Sequence, residues 1–438
     1  DLKMTATFNQ HLARAQKALH NNGYKLHPHQ VEGVKWLIEQ EKNGTGGILA
    51  DDMGLGKTIQ MISLLLALPK KTTLVVVPAN LIKQWSKAIK SLCPDFQLII
   101  HWCDSRINKS SLRKIEEATS SIVLTSYGLV SNEDIQTHQF GRIICDEAHI
   151  FRNHKTKIFR DLSQIAAPKK WIMTGTPIQN KIRDIISLFS FIGIYCPNKS
   201  HVEKLIEKHV LRRTKKELNL ELPNIERKIA LITPTHIEKK FYGRIESGSI
   251  ALDYEIEKIL RQRQASISTT YSAISMEESM GIDFSKYLGK NSKLNFIAKD
   301  ILKQINVGKK IIVFTHFKYE TEYLSKKLVE KEIGIGVISG SVTINERNKI
   351  IANKELNVLL IQIVAGGTGL NLQDYNFVYF TSPHFNPAIE EQAVCRVYRI
   401  GQKQNVTIKH VITRGTYEDR IKEIQTAKLD LIYSLIQQ

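Results

Sequence analysis

Lys57 and Thr58 close a run, Asp51, Asp52, Met53, Gly54, Leu55, Gly56, that lies between apolar segments at 47–50 and 59–68. The first segment reads as a short buried strand and the second as a helix, which puts Gly56, Lys57 and Thr58 at a helix N-terminus. Backbone N–H groups and the positive end of the helix dipole converge there, and the ligand they favour is a phosphate. Lys57 then reaches the terminal phosphates and the Thr58 hydroxyl offers a ligand to Mg²⁺. Asp52, Met53, Gly54, Leu55 and Gly56 form the cradle. The strict pattern opens on glycine; this chain has Asp51 in that place.

A second run, Ile143, Ile144, Cys145, Asp146, Glu147, Ala148, His149, delivers two adjacent carboxylates from an apolar strand-like segment. Open α/β sheets bind ligands at the C-terminal ends of their strands. Asp146 is suited to hold Mg²⁺ through its waters, Glu147 to polarise the water that attacks a γ-phosphate, and His149 to couple this loop to its neighbours. Far along the chain, Arg396 and Arg399 stand three apart in a helical pattern and share a face. A guanidinium brought to the γ-phosphoryl is worth about 10³ to 10⁵ in rate in other nucleotide hydrolases.

The elements that position these groups are legible as alternation. Strand-like runs at 74–77, 98–100, 122–125, 143–145 and 171–174 recur between helical patterns, and a second series follows at 311–315, 336–338, 358–361 and 377–380. Such alternation implies an α/β fold with parallel sheets covered by helices. It occurs twice, so the expected organisation is a first lobe at 1–235, a charged helical linker at 236–290, and a second lobe at 291–438 with a terminal helix. The second series has no Lys-Thr phosphate loop of its own, so the two sheets would share one nucleotide across the cleft between them.

Charge narrows the partner. With 62 Lys and Arg against 43 Asp and Glu, the 438-residue chain carries +19, which favours a polyanion, most simply nucleic acid. Cys93, Cys103, Cys145, Cys196 and Cys395 are scattered without a Cys-x-x-Cys pair, which argues against a zinc module or a disulfide framework and for a reducing compartment. The longest apolar stretch, 185–196, falls short of the roughly 20 residues a membrane helix needs. No signal peptide is apparent.

Taken in order, the motifs resemble the Swi/Snf-related ATPases of helicase superfamily two, with a match from Tyr24 to about Leu435. Leu26, His27, Pro28, His29 and Gln30 are similar to the family's adenine-reading segment, which makes Gln30 the implied base reader. Then come DDMGLGKT at 51–58, the segment from Val77, Pro78 and Ala79 to Gln84 and Trp85, Thr125-Ser126-Tyr127, DEAH at 146–149, and TGTPIQN at 174–180. The second lobe supplies Phe314-Thr315-His316-Phe317, Ser339-Gly340-Ser341, the run 365–372, Asn386-Pro387, and the arginines 396 and 399. The segment Leu211-Arg212-Arg213-Thr214-Lys215 resembles the one that joins the lobes. The spelling of several motifs is nearest the branch that holds lodestar and the RING-bearing repair translocases, without RING cysteines here.

The resemblance implies two RecA-like lobes, ATP and Mg²⁺ as cofactors, and a translocase on double-stranded DNA that displaces nucleosomes, RNA polymerase or another obstacle in the nucleus or another DNA-containing compartment, a viral replication site included. Groove-lining residues would be Thr125, Ser126, Thr315, Ser339, Ser341, Gly366 and Gly367, reading phosphates with little base information. The chain departs from the family at Ser382, Phe385 and Cys395, where the usual residues are Asp, Trp and Asp. Two rival readings are a strand-separating DEAH-type helicase and a non-catalytic architectural DNA-binding protein; comparing ATP turnover on duplex, single strands and RNA separates them.

Overall fold

The computed structural model describes residues 2–436 apart from 45, 103–108, 176–181, 219–221, 251, 253 and 367–369. The chain divides into two compact units, Asp1–Leu220 with Ile432–Gln438, and Glu221–Leu431. The first is built on β1 (Gly46–Leu49), β2 (Thr72–Val77), β3 (Gln97–His101), β4 (Ser121–Ser126), β5 (Arg142–Asp146), β6 (Lys170–Met173) and β7 (Val210–Leu211). They form one sheet in the order β3-β4-β2-β5-β6-β1-β7, and every pairing is parallel.

Parallel strands covered on both faces read as continuous apolar runs, and β2, β4 and β5 do: all of their residues are buried. Successive side chains still alternate between faces. Leu74 and Val76 enter one core, with Ile143 and Phe151; Val75 and Val77 enter the other, with Trp85 and Leu124. The tail end of the sheet hides a charge. Arg142 at the start of β5 is fully buried, donating from Nε to Glu41 Oε2 at 2.8 Å, and the same carboxylate accepts from Trp171 Nε1 at 2.8 Å. A buried arginine needs such a fork, since an unpaired charge there is strongly destabilising.

The second unit is built on β8 (Ile225–Ile232), β9 (Ile311–Thr315), β10 (Ile335–Ile338), β11 (Val358–Gln362), β12 (Phe377–Phe380) and β13 (Val406–Thr413), in the order β10-β11-β9-β12-β13-β8, again parallel throughout. Two strands were not expected from the sequence. β8 falls in the stretch assigned to the first lobe, yet it runs alongside β13 from Ile225 with Val406 to Ile232 with Thr413. It is an edge strand with Glu226, Arg227 and Lys228 facing solvent, and Ile229 and Leu231 of the short apolar run 229–232 are exposed as well. The charged stretch after it holds helices His236–Glu246, Glu255–Ile267 and Thr269–Met280. These close over a core of their own around Phe241, Ile245, Met276, Phe284 and Tyr287.

Candidate functional site

In the first unit the loops that carry the expected chemistry leave the C-terminal ends of β1, β5 and β6. After β1 the chain turns through Gly54 and Gly56, at φ of 90° and 82°. That left-handed backbone is open to glycine without penalty, and it lets the helix Lys57–Ala67 begin at once. Helix begins at Lys57, two residues ahead of the expected segment, so Lys57 and Thr58 lie in its first turn. The Lys57 ammonium donates to the loop's own carbonyls, 2.7 Å to Asp51 O and 3.4 Å to Asp52 O. Thr58 is half-buried.

Gln30 is buried against this loop. Its Nε2 donates to Leu55 O at 3.2 Å, its Oε1 accepts from His27 N at 3.0 Å, and a Cβ on Gly56 would meet its Nε2 at 2.3 Å. His29 adds a second bond to Leu55 O at 3.0 Å; burial, reinforced by the charge of Arg213, lowers its pKa and keeps the ring neutral. Met53 packs toward the end of β6, where a Cβ on Gly175 would come within 2.8 Å of its Cγ.

The two carboxylates sit at the end of β5. Asp146 Oδ2 accepts from Trp85 Nε1 at 2.8 Å and Oδ1 accepts from Glu147 N at 2.9 Å, while the Asp146 carbonyl accepts from Tyr127 Oη at 2.6 Å. These contacts hold Glu147 in the left-handed region, φ 53° and ψ 49°, a conformation that costs a non-glycine residue about 1–2 kcal/mol. Burial, with the neighbouring Glu147 charge, pushes the Asp146 carboxyl up to about 6; the Trp85 indole and the Lys57 ammonium act in the other direction. A buried carboxylate tuned by a cation on the phosphate loop is the pattern of a functional site.

Trp85 and Tyr127 were expected only as parts of motifs, and their bonds to Asp146 were not foreseen. The helix that bears Trp85, Ile82–Leu92, contains no acidic residue and turns Lys83, Lys87 and Lys90 outward. With Ser86, Ile100 and Trp102 they line a groove of about 620 Å³. The i, i+4, i+7 spacing of these lysines is the signal in the sequence that marks one basic face.

Arg213 was likewise expected only as part of the segment that joins the lobes, and its bonds to the loop were not foreseen. Its Nε donates to Asp51 Oδ1 at 2.9 Å and its Nη2 to Gln60 Oε1 at 2.9 Å; Nη2 also pairs with Asp51 Oδ2, and Nη1 donates to His29 O. Asp51 is fully buried, and Gln60 Nε2 gives it a further bond at 3.0 Å.

In the second unit Arg396 belongs to the helix Pro387–Val397, and Arg399 does not. The expectation of one shared helical face is corrected here. Gln402 Nε2 caps the helix at Val397 O, 3.2 Å away, and reaches Gln373 O at 2.9 Å and Tyr375 O at 3.2 Å; Gly401 then turns the chain at φ 100°. The guanidiniums remain neighbours all the same. Burial, then the charge of Arg396, lowers the pKa of Arg399, so the charged form of Arg399 is disfavoured where it sits.

Of the residues expected to line a nucleic-acid groove, Thr125 and Thr315 are fully buried. Their hydroxyls bond within their own units, Thr125 to His101 O at 3.0 Å and Thr315 to Thr321 Oγ1 on the helix Lys318–Val329 at 2.9 Å, because each sits at or next to the end of an interior strand whose neighbours cover it. Ser126 is nearly as buried. Ser339 is half-buried and Ser341 exposed, their hydroxyls 2.9 Å apart beyond the end of β10, while Gly366 ends the short helix Ile363–Gly366 beyond β11. The departures have their own settings. The Ser382 carbonyl accepts from His316 Nε2 at 2.8 Å, and the Phe385 ring lies 4.9 Å from the Arg263 guanidinium. Gly367, positions 176–180 and the side chain of His149 lie outside the described residues.

Comparison with known proteins follows this geometry. Residues 29–202 match the SNF2-related domain and residues 292–401 the helicase conserved C-terminal domain. The chain is 28% identical to the Bacillus subtilis protein YwqA, named for an ATP-dependent helicase/translocase, over 94% of this chain and 49% of that one. It is 26% identical to the Arabidopsis thaliana ATP-dependent DNA helicase DDM1, over 95% and 62%. A solved structure, the Sulfolobus solfataricus SWI2/SNF2 ATPase core in complex with dsDNA, aligns at a TM-score of 0.43 and 24% identity over 94% of this chain and 93% of that one. The chain spans about half the length of the curated relatives it matches.

Proposed function

The chain belongs to the Swi/Snf-related ATPases of helicase superfamily two, and we propose that it hydrolyses ATP on double-stranded DNA, moves along the duplex and displaces bound protein such as nucleosomes or RNA polymerase. The observation that carries this reading is the pair Asp146 and Glu147, held in a strained turn and tuned by Lys57.

The chemistry follows from the residues. Phosphates entering the loop draw the Lys57 ammonium off the Asp51 and Asp52 carbonyls and onto the β/γ oxygens. Glu147 takes a proton from the water whose oxygen bonds to the γ-phosphorus as the bond to the ADP oxygen breaks. The Thr58 hydroxyl and the Asp146 carboxylate, both hard oxygen donors, suit Mg²⁺, which when bound would neutralise phosphate charge. Arg396 and Arg399 supply charge to the transition state from the second unit. Ser339, Ser341 and the Gly366 amide contact the backbone of the duplex, joined by Lys83, Lys87 and Lys90 of the first unit. Such contacts favour phosphate over base sequence.

The test is steady-state ATP turnover with naked duplex, single-stranded DNA, RNA and nucleosomes side by side, run with Lys57→Ala and Glu147→Gln. Duplex is expected to stimulate most, without strand displacement. Lys57→Ala is expected to abolish turnover, and Glu147→Gln to bind ATP without cleaving it. Near-normal turnover in Glu147→Gln refutes the assignment.

A further inference from the structure

The two loop residues whose carbonyls hold Lys57 are also the two that a distant segment grips. Asp52 N donates to Arg213 O at 2.9 Å, and Ala50 N donates to Leu211 O at 2.7 Å. Asp52 Oδ2 accepts from Lys215 N at 3.1 Å. The Asp51 carboxylate, buried at the first position of the loop, is forked by Arg213 and bonded by Gln60. The peptides of Asp51 and Asp52 are therefore caught between the Lys57 ammonium on their carbonyl side and the 211–215 strap on the other. A displacement of one is felt by the other.

The layer is also closed from outside. A Cβ on Gly33 would meet Gln60 Oε1 at 1.8 Å and Arg213 Nη2 at 2.7 Å, so glycine alone leaves the guanidinium its place between the helix Pro28–Asn43 and the loop. The first unit runs on from Lys215 only to Leu220, and the second opens at Glu221. We infer that Arg213 positions the phosphate loop for nucleotide, and that through it the strap 211–215 registers whether the loop is filled; this rests on the nucleotide site proposed above. Arg213 touches no phosphate. It acts through the Asp51 carboxylate, whose backbone carbonyl must release Lys57 when phosphates bind.

The experiment measures Mg²⁺-ADP affinity by fluorescence titration, together with hydrogen exchange of the strap amides with and without Mg²⁺-ADP, on the full chain. Arg213→Lys keeps the charge and loses the planar fork; Gly33→Ala displaces the fork from the neighbouring helix and leaves Arg213 and the loop residues unsubstituted. In the parent protein Mg²⁺-ADP is expected to slow exchange at 211–215. Both variants are expected to bind Mg²⁺-ADP at least tenfold more weakly and to lose that protection, while exchange in β5 is unaltered. Should either fail to fold, Arg213→Met combined with Asp51→Asn, which leaves no buried charge, is read the same way. Unchanged ADP affinity, or strap protection that persists in the variants, overturns the inference and leaves the nucleotide site standing. A parent protein that binds no ADP overturns both.

Discussion

Trp85 and Lys57 favour the charged form of Asp146 against its own burial, and the balance leaves the acid near 6. A proton and a divalent cation compete for the same carboxylate, so metal affinity follows the deprotonated fraction. Below about pH 6 the Mg²⁺ concentration needed for half-maximal turnover is expected to rise about tenfold per pH unit. Trp85→Phe keeps the ring and removes the donor. A hydrogen bond to a charged group is worth about 1.5–3 kcal/mol, so the acid limb is expected to move up by about one to two pH units. Turnover against pH at low and at saturating Mg²⁺ reads this directly: the limb moves in the first series and is restored in the second. An unmoved limb means that Trp85 is only core.

At the scale of elements, the second unit ties the helix Ser292–Asn306 to the helix Tyr417–Ile436 through a buried pair. Lys293, near the start of the helix Ser292–Asn306, pairs with Glu418 at 2.6 Å, both almost fully buried; Lys293 also donates to Thr381 O at 2.9 Å and Glu418 accepts from Thr413 N at 2.7 Å. Lys293→Met leaves the Glu418 charge buried and unpaired, at a cost of about 3–5 kcal/mol. Adding Glu418→Gln removes the charge and keeps an acceptor for Thr413, so the double variant is expected to recover most of that loss. Urea denaturation of the second-unit transition decides it; a double variant as weak as Lys293→Met points to packing rather than charge.

For the whole molecule, Lys57 and Glu147 belong to one unit and Arg396 and Arg399 to the other. On the proposed mechanism neither unit alone would supply every transition-state charge, so turnover without DNA is expected to be low. With saturating duplex, Arg396→Ala or Arg399→Ala is expected to lower kcat by about 10³ with little change in nucleotide Kd, because a group acting in the transition state appears in kcat. Unchanged kcat in both variants sinks the two-unit model. The net charge of +19 predicts the binding side. Duplex affinity is expected to fall with salt, with a log–log slope of about −0.9 per phosphate neutralised, and to vary little with sequence. A salt-insensitive Kd rules out the phosphate-tracking groove.

The sequence by itself determined the two parallel sheets, the glycine loop after β1 and the acidic pair at the end of β5, because each is written locally: apolar runs bounded by glycine, Lys-Thr or paired carboxylates. It also marked Arg396 and Arg399, although not the helix end between them, which is set by Gln402 reaching back to Val397 O. Strand β8 escaped because an edge tolerates the charged residues 226–228, which leave only the short apolar run 229–232 as a signal. The burial of Thr125 and Thr315 was not legible, because a hydroxyl near a strand end looks the same in sequence whether its neighbours bury it or leave it in water. Tertiary structure alone decided the Asp146 contact with Trp85 and the Asp51 contact with Arg213, which span 61 and 162 residues. No local pattern encodes such pairs; only the stacking of strands brings the partners within a hydrogen bond.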